Sequence, residues 1–144
     1  MKRKFSWHSE FGIAVCDLIL KNGEILSGSA VCHDEDEDVK SEYVGCDLAS
    51  LRADLEHLYY LRDRELKPGL KALKQCYYSM NQSKKFNPSS YEAIMLKRQI
   101  NLQEERLKDC REAIQEYKEH IKSYLVQIEK KSKALRKVKS RKGI

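Results

Sequence analysis

SSYEAIMLKRQINLQEERLKDCREAIQEYKEHIKSYLVQIEKKSKALRKV, residues 89–138, carries a heptad. Ile100, Leu107, Ile114, Ile121, Ile128 and Leu135 recur every seven residues without a miss. Leu96, Cys110, Tyr117, Tyr124 and Val138 form a second row three residues after successive first positions, broken by Gln103 and Lys131. A doubled apolar line of this period is the seam of a helix that packs lengthwise against another helix. At 1.5 Å per residue the rod is about 75 Å long. A chain of 144 residues cannot enclose it, so the helix is expected to pack on residues 47–80 as an antiparallel hairpin and to continue onto another subunit. Ser89 and Ser90 are candidate caps, and Glu92 stands at the capping-box spacing from Ser89.

Upstream, Leu48, Leu51, Leu55 and Leu58 make a helical stripe with Asp47 as its candidate N-cap. A second stripe follows at Leu66, Leu70, Leu73, Tyr77 and Met80. Leu55, Leu66 and Tyr77 connect the two at an eleven-residue spacing. Pro68-Gly69 interrupts them, which predicts a kink or short break near residue 67. Residues 79–90, SMNQSKKFNPSS, read as the loop between the two long helices.

Before residue 47 the period is two. Residues 11–20 and 24–32 flank Lys21-Asn22-Gly23, a step that predicts a type I′ hairpin. Ala14, Cys16, Leu18 and Leu20 share one face, as do Leu26, Gly28, Ala30 and Cys32. Those small residues offer a surface on which a helix can lie closely. Residues 33–43 form an acidic connection whose Asp34–Asp38 lack the glycine and spaced Glu of a calcium loop. The expected fold is α+β: an N-terminal antiparallel β-hairpin or small sheet packed on a long, coiled-coil-like helical hairpin, as an oligomer. Residues 1–46 are hairpin and linker, 47–138 the helical hairpin and 139–144 a basic tail, within one structural domain overall.

Charged residues make up 35% of the chain and the net charge is +6. Residues 1–50 balance to −5 and residues 51–144 to +11, with eight Lys/Arg and no acid among the last fifteen. Such an end attracts phosphates, although lysines also favour a helix C-terminus. The longest apolar run is far short of the roughly 20 residues of a membrane span. Residues 1–10 are basic without a following apolar core, so a cytoplasmic protein with no membrane partner is expected.

Five cysteines without a C-x-x-C pair read as free thiols, and the four dispersed histidines give no metal spacing. The six glycines form no phosphate loop, and no nucleophile elbow is present. Neither a metal nor a cofactor nor a catalytic residue is expected, and the chain does not read as an enzyme. The chemistry-bearing cluster lies around the helix–helix loop, where Tyr77, Tyr78, Asn81, Gln82, Lys84, Lys85, Phe86, Asn87 and Tyr91 gather rings, amides and cations. Rings stack bases, amides read their edges and cations hold phosphates. Arg52, Arg98 and Arg106 project from helices that would line the same crevice where two subunits meet.

GSAVCHDEDED (28–38), GCDLASLRADLEHL (45–58) and LKPGLKALKQCYYSMNQSKKFNPSSYEAIMLKRQI (66–100) resemble small proteins of phages infecting Bacillus and its relatives. Gly45, Leu48, Ala49 and Arg52 supply the Gly-x-x-Leu-Ala-x-x-Arg helix start of that pattern. More loosely, the layout is similar to the first-described type of Thoeris anti-defence sponge proteins. That resemblance implies an oligomer that sequesters a cyclic ADP-ribose-type signal without degrading it, in an intersubunit pocket of arginines, an aromatic and an Asn. Arg52 suits the arginine, and Phe86 with Asn87 the aromatic and amide. Two alternatives stay open: an inhibitor that binds a host defence protein, and a nucleic-acid-binding accessory protein that uses the basic C-terminus.

Overall fold

The structure, a computed structural model, describes residues 1–31 and 42–142, except for the side chains of residues 132, 135, 136 and 138–142. Most of the acidic connection, including Asp34–Asp38 and Cys32, therefore lies outside the described residues. Three strands, β1 (Lys2–His8), β2 (Ile13–Ile19) and β3 (Ile25–Val31), form an antiparallel sheet in the order β1-β2-β3. Helix α1 (Glu42–Tyr60) follows, then a π-helical turn (Leu61–Leu66), α2 (Lys67–Asn81) and α3 (Tyr91–Lys142). The chain divides into two compact units, 1–57 with 115–144, and 58–114.

In the first unit the sheet's inner face is Ala14, Cys16, Leu18 and Ala30, fully or almost fully buried against Leu48, Ala49 and Ala53 of α1. Trp7, Leu26, Cys46, Ile121 and Tyr124 complete this core. The small residues set the approach distance. A Cβ on Gly28 would stand 2.8 Å from the Arg52 carbonyl carbon and still nearer to the Ala49 oxygen and Ala53 nitrogen, so strand and helix backbones touch. Gly45 does the same from the helix side, where a Cβ would meet the Ala14 Cβ at 3.0 Å and the Trp7 ring at 3.1 Å.

That second contact explains why α1 begins at Glu42 and not at Asp47. Glycine is a poor helix former, but Gly45 is buried in the close approach, so packing carries the helix one turn further out. Asp47 therefore lies inside α1 and accepts a hydrogen bond from the Tyr124 hydroxyl at 3.4 Å.

Strand β1 is the element that the basic N-terminus conceals. Its seven residues pair in register from Lys2↔Ile19 to His8↔Ile13. Arg3 reaches α1, donating to Ser50 Oγ at 2.6 Å and to Asp54 Oδ1 at 2.7 Å. The β2–β3 hairpin forms where expected but by a different turn. Gly23 has φ +87° while Asn22 does not adopt positive φ, and the Gly23 N–H reaches the Leu20 carbonyl at 3.0 Å. This is a three-residue loop in which a type I turn is followed by a left-handed glycine, and not the type I′ turn.

In the second unit α2 and the first part of α3 run antiparallel, with Leu107, Cys110 and Ile114 of the heptad buried. No break occurs at Pro68. The Lys67 N–H instead bonds five residues back to the Arg62 carbonyl. Proline crowds the carbonyl four residues before it, and a widened turn just ahead of it relieves the crowding. The polar positions of the seam serve this turn. Gln103 Nε2 donates to the Leu66 carbonyl and Cys110 Sγ to the Leu58 carbonyl, each at 3.4 Å. At the start of α3, Ser90 is the residue that caps, its Oγ accepting from the Ala93 N–H at 3.3 Å. Ser89 instead gives its N–H to Asn87 Oδ1 at 3.0 Å.

Gly28→Ala is expected to lower stability by about 3 kcal/mol, because the new methyl meets immovable backbone. Gly69→Ala should stay within about 1 kcal/mol of the parent, since its Cβ meets only the flexible end of Gln103, 2.9 Å away. Urea unfolding of both variants checks this contrast. Burial and the neighbouring Asp47 push the Tyr124 phenol up to about 12. Unfolded tyrosine ionises near 10, so this contribution to stability is present below about pH 10 and is lost as pH rises toward 12. Tyr124→Phe should flatten that alkaline loss in pH-dependent unfolding.

Candidate functional site

The second unit holds a groove of about 470 Å³ between α2 and α3. Lys67, Leu70, Lys71, Lys74, Gln75 and Tyr78 line it from α2, and Leu107 and Arg111 from α3. On α2 these are positions i, i+3, i+4, i+7, i+8 and i+11, one continuous stripe of the helix. Leu107 is part of the buried seam and Leu70 half-buried, so the floor is apolar and fixed. The rim is cationic. Lys67 pairs with Asp63 at 3.4 Å and Lys74 with Glu104 at 3.1 Å. Lys71 and Arg111 have no carboxylate partner among the described residues. Tyr78 is 65% exposed, which leaves its ring open for stacking.

Of the residues that the sequence singles out, Tyr78 lines the groove, and the others divide between the units. Arg52 belongs to the first, where its Nη1 donates to the Ser29 backbone carbonyl of β3 at 2.7 Å. Tyr77, Asn81, Lys84, Phe86, Asn87, Arg98 and Arg106 belong to the second. Tyr77 and Phe86 come together, but edge-on to each other at 5.9 Å between ring centroids. Each ring thereby serves as the other's packing partner at the mouth of the helix–helix loop. The Asn87 carboxamide oxygen is engaged by the Ser89 N–H. Asn81, Lys84, Arg98 and Arg106 are exposed and are not among the residues that line the groove.

Compared with protein-family models, curated proteins and solved structures, the chain matches none.

Lys67, Lys71, Lys74, Gln75 and Arg111 are not among the residues that the sequence singles out. The signal was present: three lysines at i, i+4 and i+7 flank the Leu66–Leu70–Leu73 stripe, and Arg111 stands four residues after Leu107. It reads as ordinary solvated charge until the pairing of α2 with α3 closes a groove between them. A second cation feature lies at the π turn, where Arg62 stacks over the Tyr59 ring at 5.0 Å and bonds Asp63 at 2.8 Å. That hydrogen bond, helped by the Arg62 and Lys67 charges, holds the Asp63 carboxyl below its ordinary range. Burial pushes the Cys110 thiol up, which keeps it protonated as a donor to Leu58. Among the described residues no group of three His, Cys, Asp or Glu is arranged to hold a metal. No helix among them is long and apolar enough to cross a membrane.

Floor and rim should separate in stability measurements. Leu107→Ala is expected to cost about 2–5 kcal/mol through the cavity it leaves. Lys71→Gln should fall within about 0.5 kcal/mol of the parent, as for an exposed side chain without a partner. Thermal unfolding of the two variants distinguishes them.

Proposed function

We propose that this protein is a non-catalytic binder that sequesters a small nucleotide signal of the cyclic ADP-ribose type in the α2–α3 groove, in a phage counter-defence role. The observation that supports this reading is the combination of rim and floor. Lys71 and Arg111, without carboxylate partners, flank a leucine floor beside the open Tyr78 ring. A nucleotide needs those three things together: donors for phosphate, an apolar wall for ribose and base, and a ring for stacking. The volume is within the range of small-ligand sites. No carboxylate lines the groove, so nothing in the lining repels an anion.

The nucleotide class follows from this chemistry, whereas the cyclic signal and the phage setting follow from the resemblance of the sequence. In this reading the protein acts by stoichiometry, which suits a lining of cations, amide and phenol. The heptad's first-position row is buried inside the chain at Leu107 and Ile114. A homo-oligomer would therefore use side chains left outside the seam, of which Leu102, Leu125 and Val126 are exposed.

Calorimetric titration of the full chain with cyclic ADP-ribose, its isomers, AMP and a short single-stranded DNA tests the proposal. Saturable binding of a cyclic nucleotide, with the ligand recovered unchanged, is the expected result. Lys71→Ala and Arg111→Ala should each weaken it about tenfold, the worth of one charge-assisted hydrogen bond. Arg52→Ala and Phe86→Ala should leave it within about twofold. Weakening by the second pair alone would move the site to the cluster named from the sequence. Binding of DNA alone, falling steeply with salt, would replace this reading with the nucleic-acid one. Conversion of the nucleotide would make the protein an enzyme and overturn the proposal.

A further inference from the structure

We propose that a cavity in the first unit, between β1 and the first turns of α1, binds an organic cation, an alkylammonium or guanidinium group. The cavity is about 430 Å³ and is lined by Phe5, Glu42, Tyr43, Cys46, Asp47 and Ser50. Its residues come from two elements, and each contributes one exposed ring. Phe5 of β1 is 47% exposed and Tyr43 of α1 is 76% exposed. The π-face of each ring attracts a cation. Glu42 and Asp47 add two carboxylates to the same lining, and no lysine or arginine belongs to it.

The sign of the charge selects the ligand class. Phosphates and carboxylates are repelled by Glu42 and Asp47. A divalent metal asks for several converging oxygen ligands, and Glu42, Cys46 and Asp47 do not form such a group. Burial, then the charge of Glu42, raises the pKa of the Cys46 thiol, so it sits in the wall as a neutral, soft contact. Asp47 spends Oδ2 on the Tyr124 hydroxyl, at 3.4 Å. Among the described residues its Oδ1 takes no hydrogen bond.

The protein already shows a cation accepted on this helix face. The Arg3 guanidinium, two residues before Phe5 on β1, lies on Ser50 at 2.6 Å and Asp54 at 2.7 Å. Ser50 belongs to the cavity lining, so the cavity continues the surface on which the chain's own guanidinium rests. Asp54 pairs with Arg3, and neither Glu42 nor Asp47 forms an ion pair among the described residues. Two sources supply such a group: a free polyamine, or a lysine or arginine side chain of a protein.

Titration of the full chain with spermidine, tetramethylammonium and N-acetyl-arginine amide, read by the fluorescence of its single Trp and by NMR, tests the inference. AMP serves as the anionic control, and ionic strength is held constant with NaCl. Saturable binding of an organic cation, and none of AMP at this cavity, is the expected result. Phe5→Leu, Tyr43→Leu and Glu42→Gln should each weaken it about fivefold while leaving unfolding unchanged. Preference for spermidine assigns the free polyamine, and preference for the arginine amide assigns a protein side chain. No binding of any probe up to about 10 mM, weaker than a specific site, overturns the inference. So does binding that all three variants leave intact. The outcome is independent of the α2–α3 groove, because none of these variants touches it.

Discussion

Strand β3 and helix α1 approach until their backbones meet at Gly28, and the rest of the first unit is arranged around that contact. A side chain at this position has nowhere to go, since the peptide of Ala49–Ala53 occupies its place. Ala14, Cys16 and Ala30 on the sheet and Ala49 and Ala53 on the helix extend the same economy of size. Close approach turns small residues into a well-packed core, because dispersion falls off steeply with any gap. It also fixes the side surfaces. With α1 held this near, β1 runs alongside it, Trp7 meets Gly45 and Arg3 reaches Ser50 and Asp54. The cavity beside Phe5 and Tyr43 is a consequence of that alignment.

In the second unit the controlling device is polar. A seam of unbroken leucines and isoleucines would leave the carbonyls beside the π turn without donors from α3. Gln103 and Cys110 supply them, and both occupy the second row of the heptad. Their hydrogen bonds tie α3 to Leu58 of α1 and to Leu66, the last residue of the π turn. The pairing of α2 with α3 places the Lys67–Lys71–Lys74 stripe and Arg111 on one groove and makes a site of otherwise scattered surface charge.

Particular residues show what could be read from the chain alone. The heptad announces α3, and Leu107 and Ile114 are buried as its period requires. The hairpin's place follows from Asn22-Gly23, and the small-residue face from Ala14, Gly28 and Ala30. The type of turn does not, because Asn22 is free to take either sign of φ and only the strand register decides. β1 was hidden because residues 1–10 read only as a basic stretch; the strand exists through cross-strand pairing with β2 and through Arg3's reach to α1. The start of α1 escaped for a similar reason, since Gly45 opposes a helix locally and favours it only when the sheet is in place. The groove was the least legible feature. It depends on how α2 pairs with α3, which no local pattern encodes. The ring pair Tyr77–Phe86, attractive in sequence as a stacking platform, turns inward on itself.

The central claim is that a nucleotide sits between Lys71, Tyr78 and Arg111. Chemical-shift mapping of the isotope-labelled full chain with cyclic ADP-ribose addresses it most directly, because every backbone amide and tyrosine ring reports its own position. The account predicts saturable shifts confined to Leu70–Tyr78 and Leu107–Arg111, with the Tyr78 ring moving most. Shifts centred instead on Arg52, Phe86 and Asn87, or none at saturating nucleotide, would contradict it.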